Sequence, residues 1–218
     1  MKKSDSKRRA ILEAAYRLFR VQGFDKTSMA AITSQVGGSK ATLYNHFASK
    51  EVLFVECMMT AAENYLEGTL QHLNASRNPE IALREFGSRV LDLICSPEQL
   101  EMRRLMIAEA ARSGTGKLFF DKITSLRARV AVYLAECMSS GTLRPDDPYL
   151  AADHLGALLE AEILEPLLLK VRDGSPDKSE TALAAQRAVI AFLRAYTPVR
   201  QAIARRPGQR TRPNAAPR

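Results

Sequence analysis

Apolar residues recur at steps of three and four along nearly the whole chain, and the strict alternation of half-buried strands is almost absent. Ile11, Ala15, Leu18 and Phe19, for example, share one face of a first helix. This spacing predicts an all-α protein. With 218 residues, 46% of them hydrophobic, the chain can bury a substantial core as one large domain or two smaller ones.

Glycine, proline and serine residues mark where the predicted helices begin and end, and Ser49 is the predicted cap of the fourth helix. We expect a first helix up to about Gly23, followed by helices at about 28–36, 39–47, 49–73, 80–94, 98–112, 118–140, 148–169 and 176–197. Pro166 should kink the end of the helix at 148–169. Residues 198–218 are rich in Pro, Arg and Ala without apolar period, which predicts a disordered basic tail.

Charge is distributed unevenly along a chain whose formal net charge is +8. Residues 1–50 carry ten Lys/Arg and three Asp/Glu, residues 51–197 carry sixteen and twenty-one, and residues 198–218 carry six Arg and no acid. Two basic ends therefore flank an acidic middle. This asymmetry indicates a segment that faces nucleic acid, attached to a body with another task.

Cellular location follows from what the sequence lacks. No apolar run approaches the roughly 18–20 residues that span a bilayer, and Lys2 and Lys3 precede a segment broken by charges rather than a signal peptide. The cysteines (Cys57, Cys95 and Cys137) are far apart, which favours reduced core residues over a redox switch. We therefore expect a cytoplasmic protein without membrane attachment.

The short helices at 28–36 and 39–47 predict a helix-turn-helix. Gly37 supplies the turn, Thr27 or Ser28 caps the helix before it, and Ser39 caps the helix after it. Ile32, Val36, Leu43 and Phe47 then face inward against Leu18 and Phe19. The opposite side presents small or hydrogen-bonding groups to a DNA groove: Ser39, Lys40, Thr42, Tyr44, Asn45 and His46. An ordinary surface helix is the alternative, which the basic flank disfavours.

The segment TSMAAITSQVGGSKATLYNHFASKEVLF (27–54) closely resembles the DNA-binding domain of the TetR/AcrR family of bacterial transcriptional regulators. The shared features include Gly23-Phe24, the Thr-Leu-Tyr run at 42–44 and Ser49-Lys50-Glu51. Thr33 stands where the family usually has Ala, and Gly38 where it usually has Val. We expect these two departures to soften the motif without abolishing the fold.

The resemblance implies roles for individual residues. Lys40, Ala41 and Thr42 would lie nearest the base edges of the major groove, and Asn45 would contact bases or phosphates. Phosphate contacts would come from Thr27, Tyr44, His46 and Lys50, with the capping residues Ser28 and Ser39 beside them. On this basis residues 1–50 form the DNA-binding domain, with the helix-turn-helix at about 28–47.

Residues 51–197 resemble the same family in architecture, and the segments AEAARSGTGKLFFDKI and GTLRPDDPYLAADHLGALLEAEIL resemble a subgroup near multidrug-efflux repressors. The resemblance implies a helical domain that binds a small molecule and forms a homodimer through helices at about 148–169 and 176–197. An intramolecular core is the alternative for these two helices. Candidate ligand-pocket residues, each of which also suits core packing, are Met102, Met106, Phe119, Phe120, Tyr133, His154 and Leu158.

The function predicted is that of a transcriptional repressor. A dimer places the helix at 39–47 of each protomer in successive major grooves, about 34–36 Å apart, so the operator should be palindromic. An effector should release the protein from DNA or, less often, recruit it. The alternatives are an activator and a helix-turn-helix protein that acts through protein contacts.

No enzyme, cofactor or metal is expected. SGTGK (113–117) lacks both the first glycine and the Ser/Thr of a phosphate-binding loop. His154 with Glu160, Glu162 and Glu165 has no second histidine at a metal-ligand spacing.

Overall fold

The protein is helical in the computed structural model, which describes residues 3–71, 73, 78–111 and 113–198, the side chains of Lys3 and of residues 61–64 excepted. Within those ranges no strand forms, so the all-α prediction is confirmed. The helices are α1 (Lys3–Lys26), α2 (Met29–Val36), α3 (Lys40–His46), α4 (Lys50–Leu70), α5 (Pro79–Ile94), α6 (Pro97–Ala110), α7 (Gly116–Ser139), α8 (Pro148–Glu160), α9 (Leu164–Leu168) and α10 (Lys178–Tyr196). The predicted tail at 198–218 lies outside the described residues, apart from Pro198.

Serine caps begin three consecutive helices, as the sequence predicts. The hydroxyl oxygens of Ser28, Ser39 and Ser49 accept hydrogen bonds from the backbone N–H three residues ahead, at 3.1, 3.2 and 3.2 Å. At the end of α1, Gly23 departs from helical geometry with φ of 79°. The helix therefore kinks at the predicted glycine, and residues 24–26 continue it as a further short turn.

The predicted helix at 148–169 is instead two helices, and this part of the prediction is wrong. α8 ends at Glu160, and α9 begins at Leu164 and contains Pro166 in its first turn. A proline lacks the N–H that would bond the carbonyl of Glu162, and its ring clashes with that carbonyl. The break therefore comes before the proline rather than at it, because the preceding turn cannot stay helical.

The last helix also begins later than predicted. Its N-cap is Asp177, whose carboxylate accepts from the N–H groups of Ser179 and Glu180 at 2.8 and 2.9 Å. The Glu180 carboxylate accepts in return from the Asp177 N–H, which completes a capping box. This reciprocal pair satisfies more helix-end donors than a single Ser175 hydroxyl would, so α10 starts at Lys178.

Two apolar clusters form the core. The first joins α1–α4 and continues beyond residue 50, to Met59 and to Met102, Met106 and Phe119 of α6 and α7. The second joins α5–α10, including Leu100 of α6, and Leu70 of α4 packs against it. α5 packs closely on α10, because Gly87 leaves space that Leu159 and Ala185 fill. Since α4, α6 and α7 contribute to both ends of the molecule, the N-terminal helices are packed directly on the body.

Candidate DNA interface and ligand cavity

Two glycines and one lysine shape the turn between α2 and α3. Gly37 has φ of 69° and Gly38 has φ of 117°, backbone conformations that residues with a Cβ rarely adopt. The Lys7 ammonium of α1 donates to the carbonyl oxygens of Val36 and Gly37, at 3.0 and 2.5 Å. Lys7 therefore fixes the turn to the first helix, a role that sequence reasoning missed because 29 residues separate the partners.

The outward face of α3 carries most of the predicted DNA-contacting residues. Lys40, Ala41 and Asn45 are exposed, and Tyr44 is 50% exposed. Leu43 on the opposite face is buried with Ile32 and Phe47 in the N-terminal core. Ser28 and Ser39 are exposed at the starts of α2 and α3, while Thr42 and His46 are half-buried. α3 thus presents polar groups on a rigid support.

Two other predicted contact residues lie deeper. Thr27 is 1% exposed, and its hydroxyl donates to the Gly23 carbonyl at 2.8 Å. The Lys50 ammonium donates to the carbonyl oxygens of Phe24 and Thr27 at 2.9 and 3.1 Å and lies 4.1 Å from the Phe24 ring centroid. Both residues tie the start of α4 to the end of α1. An ammonium has three N–H donors, so Lys50 keeps one beyond these two bonds.

The two departures from the family pattern are accommodated. The Thr33 hydroxyl donates to the Met29 carbonyl at 2.8 Å, so the added polar group is satisfied within α2. The φ of Gly38 favours glycine over the usual valine, and the nearest atom to a Cβ there would be Lys7 Nζ, at 3.7 Å. The backbone conformation of the turn thus suits glycine better than valine at this position.

A cavity of about 190 Å³ lies between α4, α5, α6, α7 and α8. Its walls are mostly Leu, Ile, Val, Met and Phe side chains. Met59, Met102 and Met106 line it and also belong to the N-terminal core, so they contact both regions. Among the lining residues that the structure describes, the polar or charged ones are Gln99, Arg103, Arg127 and Glu160.

The charged residues of the cavity are ion-paired. Arg103 donates from both terminal nitrogens to the Glu160 carboxylate, at 3.2 and 2.9 Å, and Arg127 donates to Asp153 at 3.0 Å. Sequence reasoning missed the pairing of Arg103 with Glu160, because 57 residues separate them and nothing local signals it.

Of the predicted pocket residues, Met102 and Met106 line the cavity and the other five do not. Phe119 packs edge-on against Phe54, with centroids 5.6 Å apart, in the N-terminal core. Phe120 is 65% exposed. Tyr133 is buried in the second core, and Leu158 packs against that core.

His154 is on the outer side of α8. Its Nδ1 lies 2.7 Å from the hydroxyl of Tyr196 on α10. Glu160 and Glu162 pair with Arg103 and Arg187, so these acidic groups and His154 have separate partners. Within the described part of the chain, no three potential metal ligands come together, and none of the described helices is long and apolar enough to cross a membrane.

The three cysteines are buried and not disulfide-bonded. Burial raises the pKa of Cys57, Cys95 and Cys137, and for Cys95 the value is about 11. All three therefore remain protonated thiols near neutral pH, and thiols react slowly.

Exposed apolar residues lie on α8 and α10, which pack against each other. Tyr149 and Leu150 of α8 are exposed, and Leu183 of α10 is 50% exposed. The same helices also expose small residues: Ala157 on α8, and Ala182 and Ala191 on α10. The two helices thus combine apolar groups with room for close approach.

Two parts of the chain match known protein families. Residues 11–57 match the family described as "Bacterial regulatory proteins, tetR family". Residues 81–198 match "AefR-like transcriptional repressor, C-terminal domain". The HTH-type transcriptional repressor Rv1474c of Mycobacterium tuberculosis is 25% identical over 174 residues, which cover 78% of this chain and 84% of that protein.

Solved structures share the whole architecture. A TetR-family transcriptional regulator from Mesorhizobium loti is 30% identical, with a TM-score of 0.76 over 91% of this chain and 100% of that one. The flavonoid-responsive regulator FrrA is 29% identical, with a TM-score of 0.71 over 89% of this chain and 98% of that one. The similarity therefore extends from the N-terminal helices through the helical body.

Proposed function

Because the chain belongs to the TetR family of bacterial DNA-binding transcriptional regulators, we propose that it is a repressor that binds a palindromic operator as a homodimer. A small molecule that enters the cavity releases it from DNA. In this proposal Lys40, Ala41 and Thr42 read base edges. Phosphate contacts come from Tyr44, His46, the remaining donor of Lys50 and the N-terminal ends of α2 and α3.

The observation that carries the proposal is the packing shared between the cavity and the N-terminal helices. Met59 of α4 and Met102 and Met106 of α6 contact both. A ligand that displaces these side chains also shifts the N-terminal core in which α1–α4 pack. Closely packed interiors transmit such shifts rather than absorb them. The orientation of α3 relative to the body is thereby linked to occupancy of the cavity.

Homodimerisation supplies the second DNA-reading helix. The exposed apolar groups of α8 and α10, Leu150 and Leu183 among them, suit a self-complementary helical interface. A twofold dimer presents two copies of α3, and a palindrome matches that symmetry. FrrA is named as flavonoid-responsive and Rv1474c as a repressor, and both names agree with a ligand-released repressor here.

Selection of binding sites from a randomised duplex pool tests the proposal. We expect one palindrome to be enriched by the purified full-length protein. Sequence-independent binding alone would contradict the DNA-reading role and favour action through protein contacts. Transcription from a promoter that carries the selected site should fall when the protein is added. A rise would identify an activator.

Two substitutions on α3 separate its proposed roles. Lys40→Ala should relax the preference at one or two positions of the selected site, at a cost of about 1–3 kcal/mol for that site. Tyr44→Phe removes only a hydroxyl, and should weaken binding to all sequences equally. The same selection with each variant distinguishes the two, and identical effects would contradict the division of roles.

A further inference from the structure

The charged side chains described at the cavity cancel in pairs. Arg103 and Glu160 form a two-point ion pair with bonds of 3.2 and 2.9 Å, and both side chains are half-buried. Arg127 lies beside Gly156 and is paired with Asp153 at 3.0 Å. Each charged group that the structure describes in the lining therefore already has an opposite charge beside it, and these described groups leave no net charge for a ligand to neutralise.

A charged ligand would have to break one of these pairs. A carboxylate that bonded Arg103 would displace Glu160 and leave that carboxylate half-buried without its cation. A cation that bonded Glu160 would leave Arg103 in the same condition. Removing one partner of such a pair costs more than the pair itself contributes, because the remaining charge is partly desolvated and unpaired. A neutral ligand avoids this cost.

Gln99 provides the polar contact that a neutral ligand requires. Its side chain lines the cavity, and among the described residues its amide has no hydrogen-bond partner. An amide offers two donors and one acceptor oxygen, so it bonds a hydroxyl or a carbonyl group equally well. The apolar side chains of the other walls suit the rest of the molecule.

We infer that the cavity takes a neutral, mostly apolar molecule with a single hydrogen-bonding group placed against Gln99. This inference rests on the proposed function, since it specifies the chemistry of the effector. It also predicts that Glu160 excludes anions, by occupying the arginine that an anion would otherwise bind.

Three probes with the same eight-carbon chain test the inference by calorimetry with full-length protein and no DNA: 1-octanol, octanoate and octylammonium at neutral pH. We expect 1-octanol to bind at least about tenfold more tightly than either ion. Gln99→Met should weaken 1-octanol binding several-fold. Glu160→Gln, which keeps the shape and frees Arg103, should strengthen octanoate binding by at least about tenfold. Asp121→Asn breaks a comparable pair with Lys117 on the surface, and should change nothing.

Equal binding of octanoate and 1-octanol by the unmodified protein would overturn the inference, as would absence of 1-octanol binding. An unchanged octanoate affinity in the Glu160→Gln variant would overturn the role given to Glu160. Because these measurements contain no DNA, they are independent of operator selection. Failure to select an operator, with the preference for 1-octanol intact, would refute the repressor and leave the ligand chemistry standing.

Discussion

Replacing Gly38 by alanine should destabilise the protein, although the change places a better helix former in a helical protein. The φ of Gly38 is 117°, and holding a residue with a Cβ there costs about 1–3 kcal/mol. The new Cβ itself meets no clash, because its nearest neighbours would be Lys7 Nζ at 3.7 Å and Thr42 Oγ1 at 4.0 Å. Reduced freedom of the unfolded chain returns about 0.4–1 kcal/mol, so we expect a net loss of about 1–2 kcal/mol.

Thermal unfolding at fixed protein concentration measures this effect, and about 2–4 °C per kcal/mol is typical for a chain of this size. Gly68→Ala is the matched control: this residue is in α4, has no positive φ, and a Cβ there meets nothing within 4 Å. That variant should gain up to about 1 kcal/mol. Gly38→Val introduces the residue that is usual in the family, and it should lower the stability by at least as much as Gly38→Ala. A midpoint at or above that of the unmodified protein in either Gly38 variant would refute the reasoning.

Three further predictions concern the body. Gly87→Ala places a Cβ 2.7 Å from Leu159 Cδ2 and should cost about 1–3 kcal/mol by overpacking; an unchanged unfolding midpoint would mean that Leu159 moves aside without strain. Leu183→Glu should give a monomer in light scattering and abolish operator binding, whereas Ile81→Glu, at a site of nearly equal exposure (51% against 50%), should leave a dimer; a dimeric Leu183→Glu protein would place the interface elsewhere. Burial raises the pKa of Cys95 from 9.0 to about 11, so between about pH 9 and 11 the thiol ionises only in the unfolded chain. The free energy of unfolding should therefore fall as the pH rises through that range. A Cys95→Ala variant with an equally steep loss of stability there would contradict this.

The sequence predicts local features of this fold well. The caps at Ser28, Ser39 and Ser49 depend on a hydroxyl and a backbone N–H three residues apart, which sequence spacing alone determines. The buried face of the helix-turn-helix follows from apolar periodicity. The family resemblance adds only the roles expected of the outward-facing residues of α3, toward bases or toward phosphates. Each of these features is contained within one or two turns of helix.

Features made by distant residues could not be predicted in the same way. Lys7 and Val36, or Arg103 and Glu160, become partners only when helices pack, so no periodicity marks them. The cavity could not be predicted either, because it is a packing gap between side chains of five helices. Residue type alone also did not distinguish Met102, which lines the cavity, from Phe119, which packs against Phe54. The position of the helix break before Pro166 likewise depends on which turn of the helix opens, and the sequence does not specify that turn.

The ion pairs of the N-terminal helices have a consequence for association with DNA. Lys7 bonds backbone carbonyls, while Arg8 and Arg20 pair with Glu56 of α4 and Glu101 of α6. Acidic side chains of the body thus offset part of the positive charge of residues 1–50. Counterion release on binding scales with the number of phosphates that a protein neutralises. Binding of residues 1–50 to DNA should therefore release fewer counterions than their ten basic residues suggest. The affinity of this segment for an operator should depend comparatively little on ionic strength.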